Sequence, residues 1–212
     1  TDGQSRTVEL ERKSFRISSL DGRLAEEGCA VVRITAFSMT TAQEFREKMK
    51  ELGDQGARGL VLDLRACPRG TVQGVKETAE LLLPGRKLLW IVEGDGGKLQ
   101  RVMSAGHEEI TMPLVVLVGK NTAGTGELLA SALKENGRAT VVGQKTQGQA
   151  KIREVVKRPD GSSELVDRGR FLAKPGVAIT GQGIAPDMEL PADLADEAAL
   201  AEAVRALKTR LR

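Results

Sequence analysis

Aromatic side chains are scarce in this sequence: Trp90, four Phe and no Tyr among 212 residues. A surface that reads single-stranded nucleic acid by stacking bases needs more of them, which argues against that class. Charge of one sign is missing too. Lys and Arg number 32 against 29 Asp and Glu, and the net +3 is interspersed along the chain, so no basic stripe marks a nucleic-acid partner. Histidine occurs once, at His107 in the polar loop 104–111, with no Cys, Asp or second His placed around it. It reads as a surface residue rather than a catalytic base. The two cysteines, Cys29 and Cys67, lack metal-ligand spacing. One disulfide is open to them in an oxidising compartment, and two isolated thiols are the plainer reading. No metal and no cofactor is expected. No apolar run approaches the roughly 18 residues of a membrane-spanning helix. No signal peptide is visible, and a chain that begins at Thr1 is expected to be a fragment or a mature form.

What is present is the balance of a globular protein, with 40% apolar and 29% charged residues, and enough length for one sizeable domain. Residues 1–28 are polar and mixed, with one alternating strand-like run at 7–13. Residues 29–35 form a short apolar strand. Thr40 or Thr41 then caps a helix carrying Phe45, Met49 and Leu52 on one face, and residues 59–65 read as a second buried strand. Strand–helix–strand implies a right-handed parallel crossover. A helix at 72–83, a strand at 87–92, a hairpin signal at Asp95-Gly96-Gly97 and a strand at 98–103 follow.

The strand 113–120 turns through a Gly-rich loop into a helix bearing Leu128, Leu129, Ala132 and Leu133, which stops at Asn136-Gly137. A strand at 139–142 and a polar loop to Gln149 come next. A strand–loop–helix start offers unpaired N–H groups to anionic oxygens. A nucleophile and its oxyanion hole are often built at such a place. Residues 152–157 and 163–166, joined by Pro159-Asp160-Gly161, read as a β-hairpin. The last helix carries Leu200, Val204, Leu207 and Leu211 on one stripe. That stripe is expected to pack on the core rather than on a partner helix.

Several of these motifs, in order, resemble the C-terminal processing (tail-specific) peptidases. They are Asp63-Leu64-Arg65, Pro68-Arg69-Gly70, Glu127-Leu128, Asn136-Gly137-Arg138-Ala139, the run from Val141 to Ala150, and Gly181-Gln182-Gly183-Ile184-Ala185-Pro186-Asp187. The resemblance implies an α/β fold: a mixed, largely parallel sheet with βαβ crossovers, the crotonase/ClpP-like core of these proteases, plus a β-hairpin and a C-terminal helix. It implies that residues 1–28 are the end of a PDZ-like domain and a linker, with the core domain at 29–212. It also implies peptide or protein C-terminal segments as partners, a homo-oligomer as one form of assembly, and a periplasmic or otherwise extracytoplasmic location.

In that family the nucleophilic Ser lies three residues before the Glu, and the base, a Lys, follows a Thr-Phe-Gly. Those positions are Gly124 and Gln149 here, 149 − 124 = 25 residues apart, as in the family register. The residue that helps orient the Lys falls on Arg153. The oxyanion and peptide-binding positions fall on Gly70 and Thr125, and Arg69 stands where the family has the first of two glycines. Glycine has no side chain to attack with, and a carboxamide takes up no proton at useful pH. A Ser–Lys mechanism needs both groups. The expectation is therefore a degenerate member, a pseudoprotease that binds peptide or scaffolds an assembly. The alternative is an active serine-type or Thr–Lys endopeptidase. Its fallback pair is Thr125 and Lys151, since residues 149 and 151 of an extended stretch share a face. Ser131, mid-helix, is a poorer candidate. A third reading is a structural oligomerisation unit with an obstructed cleft.

Overall fold

A computed structural model describes residues 18–105, 109–174 and 176–211. The strand read at 7–13, and His107, lie outside the described residues. In chain order the elements are β1 (Leu20–Leu24), β2 (Cys29–Ile34), α1 (Thr41–Asp54), β3 (Gly59–Asp63), α2 (Val72–Leu82), β4 (Leu88–Gly94), β5 (Leu99–Met103), β6 (Leu114–Val118), α3 (Thr125–Glu135), β7 (Thr140–Gly143), β8 (Lys151–Lys157), β9 (Ser163–Ala173), β10 (Val177–Ala178), β11 (Met188–Glu189) and α4 (Asp196–Lys208).

Six strands make the main sheet, in the order β1-β2-β3-β6-β7-β11. All neighbours are parallel except β1, which runs antiparallel to β2. β3 and β6 are buried at every residue, because helices cover both faces. Val32, Leu60, Leu62 and Val116 pack with α1, α2 and α3. The alternate residues Val31, Val61, Val115 and Leu117 pack with Ala199, Ala203 and Leu207 of α4. The period-two reversal of side chains thus feeds two cores from one strand. Leu211 lies just past α4 and still packs on the α4-side core.

Two expectations are corrected by these observations. Residues 1–28 do not all lie ahead of the core: β1 pairs with β2 over Leu20–Leu24 and closes the sheet. Its alternating Leu20, Gly22 and Leu24 carry too little apolar content to stand out from the polar flanks. The strand after α2 enters the hairpin that Asp95-Gly96-Gly97 signals. β4 turns through the glycines after Asp95 into β5, and a tight hairpin forces antiparallel pairing. β4 therefore enters a second, antiparallel sheet of order β10-β9-β4-β5, with β8 also on β9. Trp90 on β4 meets Phe171 on β9 edge-to-face at 6.3 Å and docks this sheet on the first core. Finally, Thr40 sits at the start of α1 but its hydroxyl donates to Glu44 at 2.7 Å rather than capping a helix N–H. Both cysteines are buried free thiols, so the disulfide left open by the sequence is not formed.

Candidate functional site

The carboxyl ends of β3, β6 and β7 open onto three loops, 64–71, 119–124 and 144–150, which knit together. Ala123 N–H donates to Cys67 O (3.2 Å), and Gln147 N–H donates to Thr122 O (3.0 Å). A crevice beyond the carboxyl ends of parallel strands is where open α/β sheets bind ligands. α3 starts there. Its cap residue is Gly124, at φ 51° and ψ −115°, a backbone that L side chains rarely adopt and that often marks functional positions. A Cβ on Gly124 would stand 3.2 Å from Pro68 O and 3.9 Å from Gln149 O. The two positions picked from sequence, 124 and 149, are therefore neighbours.

Glu127 is what holds them together. It is fully buried and one turn into α3. Its Oε2 accepts from Gly124 N–H (3.1 Å) and Gln149 N–H (2.8 Å). Its Oε1 accepts from the Thr146 hydroxyl (2.5 Å) and Gly148 N–H (2.6 Å). The Thr146 oxygen in turn accepts from Ile184 N–H (2.7 Å), tying in the Gly181–Gly183 turn. Among the described residues no arginine or lysine contacts this carboxylate; four oriented dipoles satisfy it instead. The capping pattern of a carboxylate reaching back to the helix start is present, with a loop from elsewhere clamped to it.

The remaining predicted residues are placed as follows. Gln149 is exposed, and only its main chain is engaged. Thr125, in the first turn of α3, is buried, and its hydroxyl has no hydrogen-bond partner among the described residues; the same holds for Ser131. Lys151 Nζ lies 2.6 Å from Asp167 Oδ2, and Arg153 Nε lies 3.3 Å from Asp167 Oδ1. The hydrogen bond from Lys151, joined by the charges of Lys151 and Arg153, holds the Asp167 carboxyl below its usual range. The Thr125–Lys151 couple is thus not in bonding contact. Gly70 forms a parallel bridge with Phe37. A Cβ there would fall 2.5 Å from Phe37 N and O, so only glycine fits. The bridge uses Phe37 N–H to Arg69 O and Thr71 N–H to Phe37 O. The Gly70 N–H is not used in it and has no partner among the described residues. Cys67, beneath this loop, is fully buried, and burial pushes its thiol up to about 12. Among the described residues no three His, Cys, Asp or Glu side chains are grouped to hold a metal ion, and no helix is long and apolar enough to cross a membrane.

The profile of Peptidase family S41 matches residues 28–190. The chain belongs to peptidase family S41. It is 35% identical over 207 residues to carboxyl-terminal-processing peptidase 3, chloroplastic, of Arabidopsis thaliana, covering 92% of this chain and 40% of that one. It is 28% identical to a carboxy-terminal processing protease of Bacillus subtilis, covering 91% of this chain and 41% of the other. It spans about two fifths of the length of these relatives. Among solved structures, a photosystem II D1 C-terminal processing protease superposes with a TM-score of 0.73 at 27% identity, over 93% of this chain and 55% of that one. The α/β architecture is that of S41 proteases.

Sequence reasoning named Glu127 as part of a motif and missed what it does in this S41 core. The signal was available: a carboxylate three residues after a helix start, followed at once by the buried Leu128 and Leu129, is a capping pattern. Thr146 and Asp167 were also missed. Nothing in the spacing of 127 and 146, or of 151 and 167, brings those pairs together before the fold is known.

Proposed function

We propose that this chain is a non-cleaving S41 core that binds the C-terminal segments of peptides or proteins. One observation carries the reading. The two positions that the family motif assigns to nucleophile and base are held side by side, yet they present a bare α-carbon (Gly124) and a carboxamide (Gln149). Without a hydroxyl and an amine no acyl-enzyme forms. Binding survives that loss, because an extended tail is held by main-chain hydrogen bonds. The exposed Gly70, whose N–H has no partner among the described residues, supplies such a group. The fallback couple of Thr125 and Lys151 is disfavoured: Lys151 is paired with Asp167, and even about 1 Å of misplacement costs roughly 100-fold in rate. The same reading carries an extracytoplasmic, periplasmic-type location and a PDZ-like origin for the residues ahead of β1.

The test compares the native chain with Gly124→Ser/Gln149→Lys on an unfolded protein and on tail peptides with free C-termini. The native chain binds peptide and shows no turnover, and the double variant gains hydrolysis. Turnover by the native chain that Thr125→Ala abolishes would overturn the reading. Absence of any peptide binding would instead favour a structural oligomerisation unit.

A further inference from the structure

The four loops around the cleft, 64–71, 119–126, 144–150 and 179–185, contain no Asp or Glu. They do carry Arg69, Lys120 and Lys145, all exposed. None of these three side chains makes a hydrogen bond or ion pair among the described residues. Several exposed cations elsewhere do have acidic partners: Arg46 on α1 with Glu109, and on the second sheet Lys151 with Asp167, Arg168 with Glu154 and Arg170 with Glu93. Glu127, the one acid at the cleft floor, is enclosed and spent on four donors.

Arg69 is the best placed of the three. Pro68, its neighbour, puts its carbonyl against the Gly124 position. The bridge of Gly70 to Phe37 fixes the loop on the other side. Beside Arg69 stand two exposed apolar side chains, Met39 (61% exposed) and Val72 (43%), with the Thr71 hydroxyl donating to Met39 Sδ at 3.9 Å. A free guanidinium beside a small apolar step, next to the Gly70 N–H, complements an extended segment that carries both carboxylates and an apolar side chain. We propose that the cleft selects peptide tails bearing acidic side chains close to the C-terminus, with Arg69 as the selecting residue and Lys145 and Lys120 as a supporting rim. This rests on the peptide-binding reading above and adds the chemistry of the ligand.

The experiment is a fluorescence anisotropy titration of the full chain with labelled decapeptides of one apolar–neutral sequence. One has two Glu in its last four positions, a second has Gln in their place, and each is made with a free and an amidated terminus. At about 50 mM salt the Glu peptide binds about fivefold tighter than the Gln peptide. The preference holds between the two amidated peptides and shrinks toward one at about 500 mM salt. Arg69→Gly brings the ratio close to one, and Lys145→Gln lowers it by about twofold, with a thermal melt confirming that each variant is folded. Equal binding of Glu and Gln peptides, a preference lost on amidation, or a ratio untouched by Arg69→Gly would each overturn acidic selection while leaving peptide binding in place. If none of the four peptides binds, the peptide-binding reading falls and this inference with it.

Discussion

Two carboxylates are completely enclosed at the carboxyl edge of the main sheet, and they are satisfied in opposite ways. Asp63, closing β3, is held by charge: Arg65 Nε and N–H donate to Oδ1, Arg65 Nη2 to Oδ2, and Arg33 Nε to Oδ2, all between 2.9 and 3.1 Å. Glu127, among the described residues, is held by neutral dipoles alone. Arg65 also grips Asp196 at the start of α4 (2.9 Å), so the Asp63 cluster fastens the sheet to the helix behind it. The Glu127 cluster fastens α3 to the loop that carries position 149. The first is scaffold. The second fixes the cleft, and it does so whether or not a nucleophile is present.

The largest effect comes from breaking the dipole cluster. Glu127→Ala leaves three main-chain N–H groups and the Thr146 hydroxyl without their acceptor, and each orphaned buried donor costs about 1–3 kcal/mol. A loss of about 4 kcal/mol in urea unfolding is expected, together with loss of tail-peptide binding as the 144–150 loop comes free. Asp63→Asn comes next, at about 3 kcal/mol, because it strips the partner from a guanidinium that is largely buried. Peptide affinity in that variant, measured where it is still folded, stays near the native value. Burial opposes the charged form of Asp63, but the Arg65 hydrogen bonds and the charges of Arg65 and Arg33 outweigh it and hold the carboxyl below its ordinary 3.8. A depressed carboxyl contributes its stability above the unfolded value and loses it as pH falls through the folded one. Acid unfolding of the native chain is therefore expected below about pH 4, and Asp63→Asn should flatten that part of the profile.

The parallel sheet was legible in the sequence because its signals are local, whereas positions 124 and 149 were named from the order of the family motifs. Residues 59–63 and 114–118 are unbroken apolar runs up to the closing Asp63, and the helix start at 124–127 has its own capping pattern. What escaped was set at long range. β1 is an edge strand whose alternation is too short to stand out. The departure of β4 into a second sheet depends on pairing with β9, roughly 80 residues later in the chain, and the sequence marks only its hairpin with β5. The positions 124 and 149 could be named, but their adjacency comes from a carboxylate whose partners at 146, 148 and 149 no periodicity links to it.

Gly124→Ser separates the two clusters from the backbone beneath them. At φ 51° and ψ −115° a serine carries strain of about 2 kcal/mol, and its Cβ meets Pro68 O at 3.2 Å. The variant should lose about that much stability and show no turnover by itself, since Gln149 still offers no base. A Gly124→Ser variant as stable as the native chain would mean that the cap relaxes, and that Glu127 holds the loop less tightly than its four bonds indicate.

Asp167→Asn is the smallest perturbation of stability and the sharpest for mechanism. The carboxylate is half exposed and pairs with Lys151 and Arg153 at the surface, where solvent screening leaves an ion pair little to contribute to stability. Urea midpoints should barely move. The substitution nevertheless releases the Lys151 ammonium two residues from position 149, the one change that hands the fallback couple a free amine without touching the cleft floor. If Glu127 has already fixed the distance between α3 and the loop, the freed Lys151 still cannot reach the buried Thr125 hydroxyl, and the variant stays inert toward unfolded protein. Turnover that appears in Asp167→Asn and vanishes with Thr125→Ala would show the opposite: that Thr125 and a freed Lys151 can act as a couple.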